Sequence, residues 1–134
     1  MLTGLLHAHS GLRYVVLLAG VFALAYALYI LFTGKPYDRV VRSSGAAFAG
    51  LLHLQVLLGF VLIVSGRFYP ALIGHIFMML FAAVVAQIPL SVMRRRPPEE
   101  RTVLPHVVAI LVALGLVWGG VLAIGRGLLD STVF

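Results

Sequence analysis

Cysteine is absent from this chain, which excludes disulfides, thiolate metal sites, iron–sulfur clusters and covalent haem attachment through a C-x-x-C-H motif. Acidic residues are nearly as scarce, four in 134 residues against ten Lys and Arg. Asp38, Glu99, Glu100 and Asp130 all fall outside the long apolar runs, so those runs hold no carboxylate for acid–base chemistry. Charge of either sign is thin, 10% of residues, while 62% are hydrophobic and the mean hydropathy is +1.10. Such a chain is too apolar for one small water-soluble core, and a soluble enzyme is excluded. The net charge of +6 then reports membrane orientation and contact with anionic lipid, and nucleic acid is not an expected partner.

Four apolar segments stand out, at about 5–32, 44–65, 69–93 and 103–125. Each is long enough to cross ~30 Å of hydrocarbon at ~1.5 Å per helical residue. Barrel strands would be shorter and strictly alternating, and every backbone amide must find its partner inside the lipid, so the runs read as helices. The expected fold is all-α, a single four-span domain over residues 1–134 forming a membrane four-helix bundle. The first run lacks a small-x-small cleavage site and reads as a retained span. Thr33-Gly34-Lys35-Pro36 ends it, Ser43 or Ser44 is the expected cap of the second, and Arg94-Arg95-Arg96-Pro97-Pro98 ends the third. Between the second and third lies only Ser65 to Pro70, a tight turn between antiparallel neighbours. Lys35, Arg39 and Arg42 in the first connection and Arg94, Arg95, Arg96 and Arg101 in the third outweigh Arg67 and Arg126 on the other side. The positive-inside rule therefore puts both termini outside, in a multi-pass protein of a bacterial inner membrane.

In so apolar a chain the informative residues are the polar ones at membrane depth: His9, Arg13, His53, Gln55, His75, Gln87 and His106. Neutral imidazole is a good ligand for haem iron, and two from facing helices fill both axial positions if their depths agree. The helical rise puts His9 ~6 Å from the outer start of the first span and His75 ~9 Å from that of the third, a match. His53 falls ~18 Å in, near the midplane, and is the reserve ligand, while His106 lies ~5 Å from the inner surface, where an imidazole is at home among headgroups. Arg13 shares a helix face with His9 and can reach a haem propionate or the third helix, and Arg67 in the outer turn is the other propionate candidate. His7 points away from His9 and is an interfacial residue or an alternative ligand. Gln55, beside His53, can hold a quinone carbonyl, orient a ligand or knit helices together. Gly115, Gly119, Ala123 and Gly127 form a small-residue stripe for close helix packing, within the bundle or against a second copy.

The order His9-Ser10-Gly11-Leu12-Arg13, then His53-Leu54-Gln55 with Leu58-Gly59, then Gly74-His75 resembles one half of haem A synthase over about 75 residues. It also resembles small bacterial membrane proteins loosely labelled cytochrome b. The resemblance implies that His9 and His75 ligate one haem, with Gln55 and Gly59 on the intervening helix. In that family Arg directly follows the first histidine and an acidic residue precedes it by three, whereas here the Arg is four residues on and the acidic position is Leu6. Methyl hydroxylation is therefore not expected. The resulting expectation is a haem b protein with bis-His ligation near the outer face, relaying electrons from quinol or toward a periplasmic partner, or carrying haem. The competing expectations are a cofactor-free accessory subunit of a larger membrane complex, and a zinc or copper site on the same histidines.

Overall fold

The computed structural model describes residues 2–66, 70 and 72–123. Four long helices account for nearly all of them: α1 (Leu2–Thr33), α2 (Arg39–Val64), α3 (Leu72–Arg95) and α4 (Leu104–Ala123), with one 3₁₀ turn at Pro98–Glu100. All four are long and apolar enough to cross a membrane, and the chain is an all-helical, multi-pass four-helix bundle. Large apolar side chains such as Leu18, Phe32, Leu57 and Trp118 face outward, as contact with lipid requires.

The punctuation between helices is local chemistry. α1 stops at Gly34, whose φ of +70° is the left-handed conformation that favours glycine after a helix. α2 begins at Arg39, about a turn and a half before the sequence signal at Ser43 and Ser44. Its N-cap is Asp38, which accepts from the Val41 amide at 2.9 Å. Ser44 instead lies inside the helix and donates to the Val40 carbonyl at 2.7 Å. Asp38 wins because its carboxylate also complements the positive end of the helix dipole, and because the Tyr26 hydroxyl donates to its other oxygen. α2 closes at Ser65 and Gly66, the latter at φ +101°. α3 runs without interruption through the buried Pro89.

Around the bundle the helices follow chain order: α1 packs on α2, α2 on α3, α3 on α4, and α4 back on α1. α1 and α3 therefore face each other across a diagonal. The main core lies at mid-depth around Phe48, which is fully buried against Val16, Ala23, Ala82 and Ala113. Gly20 makes room for that ring, since a Cβ there would lie 2.7 Å from Phe48 Cε1. A second cluster of Ala27, Ile30, Val41, Val103 and Val107 fills the end near the 34–38 and 96–103 connections, called the inner end by the charge rule.

Asp38 generates a prediction. Desolvation pushes its carboxyl up, but the hydrogen bonds from Tyr26 and from the Val41 and Val40 amides outweigh it and hold the group below its ordinary value. A carboxyl with a depressed folded pKa stabilises fully above the ordinary carboxylate range and loses that contribution as pH falls through it. Asp38→Ala should cost about 1 kcal/mol at neutral pH, read by unfolding in detergent. Asp38→Asn should keep most of the cap while losing the wild type's decline in stability between about pH 5 and pH 3.

Candidate functional site

At the outer end a cavity of about 720 Å³ opens in the bundle axis, with walls from all four helices. Its lining is mainly apolar, with Val16, Leu52, Met79 and Val117 among the buried members. The polar lining consists of His9, Ser10, Arg13, Gln55 and His75. The volume falls within the ~300–1,000 Å³ of small-molecule and cofactor sites.

His9 on α1 and His75 on α3 reach this cavity from diagonally opposed helices, and their rings stand 6.4 Å apart between centroids at an interplanar angle of 81°. That spacing has a chemical reading. Two imidazole nitrogens each ~2 Å from a single ion, with ring centres a little over ~1 Å behind them, give centroids about 6 Å apart. The pair therefore stands at the spacing of two ligands on opposite sides of one ion.

Each ring is set by its neighbours. His75 Nδ1 lies 2.9 Å from the carbonyl oxygen of Gly120 on α4, which can only accept. Nδ1 therefore carries the proton, and Nε2 keeps its lone pair, as a metal-ligating histidine requires. A Cβ at Gly120 would collide with Met79 Cε and lie in ordinary contact with His75 Nδ1 at 3.6 Å, so the glycine makes room for Met79 more than for the ring. Its neighbour Gly119 packs on Met78 of α3, while Gly115 faces outward, so the stripe serves α3 within the bundle in part. Gly127 and Ala123's side chain lie outside the described residues. His9 rests on Gly59 of α2, where a Cβ would sit 3.2 Å from His9 Cε1. Among the described residues, His9 Nδ1 is buried without a hydrogen-bond partner.

Gln55 is buried beneath the pair, and its amide donates to the His9 carbonyl at 2.7 Å. This ties α2 to α1 at the ligand's own residue. Gln55 lines the cavity, and its Oε1 is buried without a hydrogen-bond partner among the described residues. Arg13, one helical turn below His9, is 7% exposed. Its guanidinium donates to the Tyr14 hydroxyl at 2.8 Å and lies over that ring. It brings a fixed positive charge to the cavity wall. Among the described residues, no group of three or more His, Cys, Asp and Glu lies together. Two imidazoles suit axial ligation of an ion whose other positions a macrocycle fills better than they suit a tetrahedral zinc site.

The chain matches no protein-family model, no curated protein and no solved structure.

The remaining sequence candidates lie elsewhere. His53 is exposed on the outward side of α2 and hydrogen-bonds Gln87 Oε1 on α3 at 3.3 Å, outside the cavity. Gln55, two residues on, faces inward, so the two do not act together. His7 is exposed and lines no part of the cavity. Arg67 lies outside the described residues. His106 departs from the expectation of a headgroup-level imidazole: it is 1% exposed, packed against Gly45 and hydrogen-bonded through Nε2 to the Tyr37 hydroxyl at 2.8 Å. The connection between α1 and α2 folds Tyr37 over it, which hydropathy along α4 alone does not reveal. The role of Gly120 is likewise a product of the fold, although the Gly119-Gly120 pair in an apolar helix is a visible sign of close approach.

The two glycine environments on α2 predict opposite signs. Gly59→Val should cost about 1–3 kcal/mol by overpacking against His9. Gly50→Ala, where a Cβ meets nothing within 4 Å, should be neutral or stabilising by up to about 1 kcal/mol. Unfolding of both variants in one detergent checks the contrast.

Proposed function

We propose that this chain is a haem b protein of the bacterial inner membrane, with His9 and His75 as axial ligands near the outer face. The observation that supports it best is the facing imidazole pair, 6.4 Å apart between centroids, beside a mostly apolar cavity of about 720 Å³. Bound there, haem supplies a one-electron carrier.

The chain's own residues divide the remaining work. The Gly120 carbonyl holds the His75 proton on Nδ1 and raises the basicity of the other nitrogen. Gln55 fixes the backbone of His9. Arg13 offers a permanent cation to the carboxylates at the porphyrin edge, an assignment favoured by the absence of Asp and Glu from all four apolar runs. The apolar wall of Leu52, Met79 and Val117 excludes water and so strengthens each of these interactions. A haem held by both His9 and His75 would have its protein-side ligand positions filled, leaving none for a substrate. The reading is therefore electron relay, from quinol or toward a periplasmic partner, or transport of haem itself, and not oxygen chemistry.

Protein purified in detergent from haem-replete cells should show a Soret band and sharp reduced α bands, with pyridine haemochrome giving about one haem b per chain. His9→Ala and His75→Ala should each abolish the six-coordinate spectrum, while His53→Ala and His106→Ala should retain it. A stable, colourless wild-type preparation would refute the assignment and favour the cofactor-free accessory subunit. Stoichiometric zinc or copper without porphyrin absorption would favour a simple metal site.

A further inference from the structure

The cavity wall is unevenly sealed. Every residue that α1 and α4 contribute to it is buried or half-buried, from Leu6 and Arg13 to Val117 and Val121. The exposed lining residues are Phe60, Gly66 and Leu80, from α2, its terminal turn and α3. Phe60 is 64% and Leu80 45% exposed, so both line the cavity and face the surroundings of the bundle. Both belong to membrane-spanning helices, and the surroundings of Phe60 and Leu80 are therefore lipid, not water. Further down the same seam, His53 on α2 bonds Gln87 on α3, and Gln87 in turn donates to Ser91 at 3.3 Å. This polar rung ties the two helices below the cavity.

We infer that the seam between α2 and α3 is a lateral portal, rimmed by Phe60 and Leu80 and clasped below by His53 and Gln87, through which the cavity takes its ligand from the bilayer. The inference rests on the haem reading for the identity of the ligand. Its chemistry fits the route: a flat, apolar macrocycle dissolves in lipid, and most of the cavity lining is apolar, with Ser10, Arg13, Gln55 and the two imidazoles as its polar part. The portal also gives His53 and Gln87 a use that ligation does not, because a hydrogen bond near the middle of the lipid is a strong reason for two helices to stay joined there while separating above it.

The test measures haem transfer from haem-loaded phosphatidylcholine vesicles to the full-length apoprotein in vesicles, followed by the rise of the Soret band. Phe60→Ala widens the rim and should speed both uptake and release several-fold. Leu80→Trp narrows it and should slow both by a similar factor, so that in each variant the two rates change together and by more than the occupancy does. Both positions are on the surface, so neither change disturbs the core. A rim acts on the two rates equally, whereas a wall residue of the binding site changes the affinity. Unchanged rates in both variants, with haem binding intact, would overturn the portal and leave the haem reading standing. The portal also falls if occupancy shifts with no change in uptake rate, or if haem presented in water on albumin loads wild type faster than haem in vesicles. Failure of wild type to bind haem at all would overturn the haem reading and the portal with it.

Discussion

The site depends on two helices whose backbones stay apart among the described residues while their side chains meet. α1 and α3 lie across the diagonal of the bundle, each held by α2 and α4, and what spans the gap at the outer end is a pair of imidazoles and a cavity. A diagonal is the one place in a four-helix bundle where side chains from two helices can oppose each other without their backbones closing the space between. The other two helices then act as spacers and as orienting partners. α2 supplies Gln55 and Gly59 to His9, and α4 supplies the Gly120 carbonyl to His75. Each imidazole is thus positioned by a helix other than its own and other than its opposite number's.

Much of this architecture can be read from residue order. Four runs of apolar residues in a chain with almost no charge leave few alternatives to four spanning helices, and counting residues from the helix ends brings His9 and His75 to one depth. The start of α2 could not be placed the same way. Hydropathy begins near Ser44, but a helix begins where its first amides find an acceptor, and Asp38 provides one six residues earlier. Depth alone also says nothing about azimuth. His53 and Gln55 are two residues apart and so take opposite sides of α2, and which one faces inward depends on how α2 is rotated against its neighbours. His106 shows the complementary limit. Its depth suggests an interfacial imidazole, yet the connection carrying Tyr37 covers it, a tertiary event outside the reach of any pattern along α4.

The two ends of the bundle treat buried polarity differently. At the inner end, His106 has the Tyr37 hydroxyl and Asp38 has the Tyr26 hydroxyl and an amide. The cluster of Ala27, Ile30, Val41, Val103 and Val107 fills the same end. At the outer end, polar atoms of His9 and Gln55 are buried without partners among the described residues, in residues that line a large cavity. Buried polar atoms left in this state cost about 1–3 kcal/mol each. A bundle able to satisfy its polar groups completely at one end had no general difficulty in doing so at the other.

The glycines sharpen that contrast. A glycine inside a helix costs roughly 0.5–1 kcal/mol relative to alanine, and most positions along these spans carry Leu, Val or Ala instead. Yet Gly59 and Gly120 stand where an imidazole ring or its hydrogen-bond acceptor must come close. Helix propensity and packing are given up at the positions that hold the rings in place and the space beside them open. Gly59 leaves room for the His9 ring beside α2, and the cavity next to the two rings is the space a bound group would occupy under the function proposed above.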